Sequence, residues 1–105
     1  MAQHELWIGV VGLKPIDPKA WEGAVGAYTN IVTWASSREE FRKKSEELAA
    51  SMKLYIFEIE DEEPVSDRTK KFSLSEELEE LVDRAETNPK AILYGTFHRY
   101  PFEDA

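Results

Sequence analysis

"ELWIGVVGL", residues 5–13, is an apolar run of strand length in which Leu6, Ile8 and Val10 alternate with Trp7, Val11 and Leu13. Successive side chains of a strand point to opposite sides of a sheet. A strand with one wet face would therefore alternate apolar with polar residues, and this one does not. The run predicts a strand covered on both faces, and the fold turns on what supplies the two covers.

Downstream, "KPIDPKAWEGAVGA" (14–27) holds two prolines and two glycines and reads as a connection. Asp17 is placed to cap a single helical turn opening at Pro18, because an aspartate side chain accepts backbone N–H bonds and proline fits a first helical position. A second strand follows at about 27–35, "AYTNIVTWA", rich in β-branched and aromatic residues. "SSREEF" then gives a helix start, with Ser36–Glu39 or Ser37–Glu40 at capping-box spacing. Phe41, Ser45, Leu48, Ala49 and Met52 share one side of a helix over about 37–52.

"KLYIFEIE" (53–60) predicts a third strand with Tyr55, Phe57 and Ile59 on one side and Leu54, Ile56 and Glu58 on the other. An acidic loop, "DEEPVSDRTKK" (61–71), leads to a second helix opening at Ser73, with Glu76 as its box partner. Leu74, Leu78, Leu81, Val82 and Ala85 form its apolar stripe, and Asn88–Pro89 stop it. The last strand, "AILYGTFHR" (91–99), carries Gly95 as the mark of a bulge or a close backbone approach.

The expected fold class is α+β: one domain over 1–105, with a four-stranded mixed sheet and both amphipathic helices on one face, in the order ββαβαβ. In content this resembles ferredoxin-like sandwiches, although their order is βαββαβ and the 14–26 segment would have to supply the missing helix. Helices on one face leave the other face open, yet neither parity of the strands is polar. The expectation is a homodimer or a protein partner on that face, or a roof made by the chain's own 14–26 or 61–72 segment.

Composition narrows the function classes. The net charge is −8, and the first 57 residues carry seven acids and seven bases, so the whole surplus lies in residues 58–105. Such a field repels phosphate backbones and attracts basic partners, which argues against a nucleic-acid binder. The chain has no cysteine, which excludes thiolate catalysis and cysteine metal sites. "MAQHELWIGVVGLKP" has none of the three regions of a signal peptide, and no apolar run reaches membrane-spanning length, so a cytoplasmic protein without a membrane segment is expected.

No motif assigns a reaction. By alternation, His98 shares a strand face with Thr96, Tyr94 and Tyr100 and comes within reach of Asn30 or Glu58 on other strands. His98, Tyr100 and Asn30 are therefore the candidate binding residues, in a polar cluster suited to a small ligand. A lone strand histidine beside tyrosines reads first as structural, and no catalytic residue is assigned. "EIEDEE" (58–63) holds five carboxylates in six residues but lacks the spacing and turn glycine of an EF-hand. His4 and His98 give no zinc spacing, so no metal and no cofactor is assigned.

Ser36, Ser37, Ser73 and Ser75 stand where helices need caps, and no G-x-S-x-G occurs. "GVVG" and "GAVG" complete no phosphate-binding motif. The leading reading is a small acidic interaction or regulatory module, antitoxin- or immunity-like, whose residues 58–86 block a basic site. The rival is a small enzyme or ligand-binding domain with its site near His98.

Overall fold

The computed structural model describes residues 4–17, 19 and 24–101, with 24, 25 and 99–101 by backbone alone. The elements are β1 (Glu5–Pro15), β2 (Ala24–Ala35), α1 (Arg38–Ser51), β3 (Leu54–Pro64), α2 (Val65–Lys71), α3 (Glu76–Glu86), β4 (Ile92–Tyr94) and β5 (His98–Pro101). The sheet runs β3-β1-β2-β4, with β5 also paired to β2. The α+β class holds, with differences of detail that bear on function.

The sheet is antiparallel at every pairing, not mixed. β1 and β2 form a long hairpin, from Glu5 opposite Ala35 to Leu13 opposite Ala27. The β2–α1–β3 connection crosses over β1, so β2 and β3 run the same way but are separated by an antiparallel strand. The Asp17 cap is present, since the Lys19 N–H donates to Asp17 Oδ1 at 3.0 Å. The proposed turn's first residue, Pro18, lies outside the described residues.

Helix α1 starts where the serines predict. Ser37 Oγ accepts from the Glu40 N–H at 3.1 Å, and Glu40 reaches back to the Ser36 N–H at 2.5 Å. Helix α3 begins two residues later than expected, with Ser75 rather than Ser73 as its cap. Helix α2 was expected to be loop. It has no side-chain cap and buries no residue, so neither signal that reveals a helix in sequence was there to read.

The helices lie on both faces of the sheet, which corrects the one-face expectation. One cluster joins Trp7, Val11 and Leu13 of β1 to Ile31, Ala35 and Leu54, under Phe41 and Ala49 of α1. The other joins Ile8 and Val32 to Leu81 and Ala85 of α3, with Leu78, Val82 and Val65 packed against it. Adjacent β1 residues point oppositely, so Trp7 and Ile8 need separate covers, and α1 and α3 provide them. An 11-residue helix is marginal alone in water; the leucine stripe holds α3 down, helped by the Trp34 indole N–H, which donates to the Ala85 carbonyl at 2.8 Å.

Two local irregularities position the surface discussed below. The β1–β3 register slips between Gly12 and Leu13, where Gly12 faces Glu58 but Leu13 faces Ile56. This bulge at Phe57 inserts one extra residue and reverses the parity beyond it. Ile59 therefore packs with Leu54 and Ile56 in the α1 cluster, whereas simple alternation had placed it with Tyr55 and Phe57. The last strand is broken at 95–97 into β4 and β5. Gly95 sits so close to α3 that a Cβ there would lie 2.5 Å from Glu77 Oε1, which is the close approach its glycine forecast.

Candidate functional site

The α3 layer covers only one end of the second sheet face, over Leu6, Ile8, Val32 and Leu93. Beyond it the register lines up two rows of that same face: His98, Tyr28, Gly12 and Glu58 in one, and Asn30, Val10 and Glu60 in the next. Lys14 pairs with Tyr55 one row further on. Tyr55 and Phe57 are exposed here, at 48% and 37%.

Gly12 shapes this surface. A Cβ at Gly12 would lie 2.7 Å from the Phe57 ring and 3.0 Å from that of Tyr28, so its missing side chain lets both rings lie over the β1 backbone. Tyr28 meets Phe57 edge-on at 5.7 Å, and the Lys14 ammonium stands 4.8 Å from the Phe57 ring centre. That is cation–π distance. The Tyr28 hydroxyl donates to Glu58 Oε1 at 3.0 Å.

The carboxylates along β3 divide into two kinds. Glu62 takes Arg38 and Arg42 from α1, at 3.4 and 2.8 Å. Glu63 takes Arg68 and Lys71 from α2, at 2.5 and 2.7 Å. Glu58 and Glu60 form no ion pair among the described residues. They lie within hydrogen-bonding reach of each other, which pushes the Glu60 carboxyl above the usual range and, with the Tyr28 hydroxyl, holds Glu58 below it.

Of the predicted site residues, His98 lies opposite Tyr28 and Asn30 opposite Val10, on one face; the break at 95–97 shifts the register by one, so Tyr94, opposite Ile31, falls on the other face and not beside His98 as alternation implied. His98 is exposed and makes no hydrogen bond among the described residues that would orient it for proton transfer. Asn30 uses its carbonyl to accept the Gly95 N–H at 3.1 Å. Tyr100 pairs through its backbone with Gly26, and its side chain lies outside the described residues. Among the described residues no three histidine, aspartate or glutamate side chains gather as a metal-ligand set, and no helix is long and apolar enough to cross a membrane.

Sequence reading missed Tyr55, Phe57, Glu58 and Glu60 as a group, because without the bulge Phe57 and Glu58 fall on opposite faces. The signal available was Gly12, since a glycine inside a strand marks a close approach by something else.

A shallow groove of about 410 Å³ flanks the α2–α3 linker, lined by Arg68, Lys71, Phe72 and Leu74 among others. Its two cations are already held by Glu63, so it offers less unmatched charge than the sheet surface.

Three carboxylates elsewhere titrate below the usual range: Glu40 through the Ser36 N–H, Glu63 through Arg68 and Lys71, and Glu77 through the Thr96 hydroxyl and N–H. In each the fold favours the ionised form, so the stability it contributes is present above the unfolded carboxylate pKa and lost as pH falls through the lowered folded value. Glu60 acts in the opposite sense, since its raised pKa costs stability as pH rises past the unfolded value. The lowered groups outnumber it, and thermal unfolding should move to lower temperature as pH drops below the carboxylate range. Glu77→Gln should flatten that dependence; an unchanged slope would contradict the assignment.

Comparison of the chain with known protein families, characterised proteins and solved structures gives no match.

Proposed function

We propose that the chain is a small cytoplasmic interaction module that binds a basic protein partner through the half of its second sheet face that no described helix covers, in the manner of an antitoxin or immunity protein. One observation carries this reading: exposed Tyr55 and Phe57 stand beside Glu58 and Glu60, two carboxylates with no cation of their own among the described residues. Exposed aromatic rings supply the contact area that dominates interfaces, and unmatched charge supplies steering and choice of partner.

A basic partner fits better than a second copy of the chain. Copies stacked through this surface would set one acidic pair against another, and like charges facing each other across an interface are costly. Pairing through the free edge of β3 is hindered by its two register slips and its run of acids, devices that blunt strand edges. The homodimer expected from the sequence is therefore not carried forward.

The test is a titration of the isotope-labelled chain with a short peptide of mixed lysine and arginine, followed by amide shifts. Shifts should gather at Val10, Tyr28, Tyr55, Phe57, Glu58 and Glu60 and shrink as salt is added. Shifts confined to the outward acids of α3 (Glu76, Glu79, Glu80 and Asp83) would sink this reading.

A further inference from the structure

We propose that this surface selects arginine over lysine, seating a guanidinium across the carboxylates of Glu58 and Glu60 with the exposed ring of Phe57 beside it. The inference rests on the interaction reading above and specifies the group recognised.

The first argument is the contrast along β3. Glu62 and Glu63 lie on the same strand and each holds two cations, at least one of them an arginine. Among the described residues Glu58 and Glu60 have none, although Lys14 projects from the neighbouring strand. The Lys14 ammonium rests over the Phe57 ring and is not paired with either carboxylate. The ring is thus a platform on which a cation already sits, and the acidic pair next to it is unfilled.

The second argument is donor geometry. Two carboxylates make an acceptor array along one strand face, with Glu58 held by the Tyr28 hydroxyl and within reach of Glu60. Guanidinium offers five N–H donors in a planar fork, which satisfies two carboxylates together. Ammonium is a compact, strongly hydrated point charge with three donors, and it loses more hydration for fewer directed bonds. A carboxylate pair that otherwise repels is also relieved by a cation shared between its members, and guanidinium spans both without displacing Lys14 from the ring.

The experiment compares three peptides identical except that the basic positions are arginine, lysine or citrulline, titrated by calorimetry and amide shifts into the wild-type chain and Glu58→Gln/Glu60→Gln. The arginine peptide should bind about tenfold or more tightly than the lysine peptide, with citrulline, which keeps the shape but not the charge, weaker than both. The double variant should lose the arginine preference, while its remaining amide spectrum shows the fold intact, Glu60 being exposed and a glutamine in place of half-buried Glu58 still able to accept from the Tyr28 hydroxyl.

Equal affinity for lysine and arginine on this face would overturn the inference and leave the interaction reading standing. Binding only at α3, or no binding by any peptide, would overturn both.

Discussion

Phe41→Ala should destabilise the chain by about 3–5 kcal/mol, the range for emptying a buried aromatic site. Phe41 is fully buried and sits in a socket that glycine makes possible: a Cβ at Gly9 would lie 2.9 Å from its ring. Trp7 stacks on it at 6.2 Å, so the cavity would be bounded by rigid groups that cannot easily collapse into it. Against a total stability of about 5–15 kcal/mol for a domain, such a loss removes roughly a fifth to all of it. Urea unfolding of Phe41→Ala against Phe41→Leu measures it. A difference from wild type below about 1 kcal/mol would mean that α1 does not seal the Trp7 face as described.

The apolar run in β1 announced two covers, and α1 was readable as the first from Ser37, Phe41 and Ala49. The second was also present in the sequence, as the stripe Leu78, Leu81, Val82 and Ala85. Its side of the sheet was not legible, because a stripe says that a helix packs but not on which face. Strand order resists local reading for the same reason, since the crossover over β1 is a long-range choice. The break at 95–97 was foreshadowed by Gly95, whose glycine makes room for Glu77. The bulge at Phe57 had no mark within β3 itself, and it alone decides that Phe57 and Glu58 share a surface. His98 and Asn30 share a face only because the break at 95–97 shifts the register by one, which alternation along the last strand cannot show, and the unmatched charge beside them lies on β3.

Leu81→Asp tests the second cover. Leu81 is 4% exposed and packs on Ile8 and Val32, where a carboxylate would have neither water nor a cation. Burying an unpaired charge is among the costliest single changes, of the order of 3–5 kcal/mol when no partner is at hand. The cheapest escape is for α3 to lift off, because a helix of its length has little stability alone. The variant should lose helical signal and bind an apolar dye at the uncovered Ile8 and Val32, with the Trp34 indole N–H losing its protection from exchange. If α3 kept its helicity and the Trp34 N–H stayed protected, the layer over the second face would have to be assigned differently.

Solvent access to individual rings, measured by paramagnetic relaxation from an inert soluble agent on dilute, ring-labelled protein, reaches the half-covered sheet face most directly. Tyr55 and Phe57 should relax strongly while Trp7 and Phe41 are spared, and the arginine peptide should shield the first pair. Phe57 as sheltered as Phe41 in the free chain would contradict the account, since no open surface would then exist for a partner to meet.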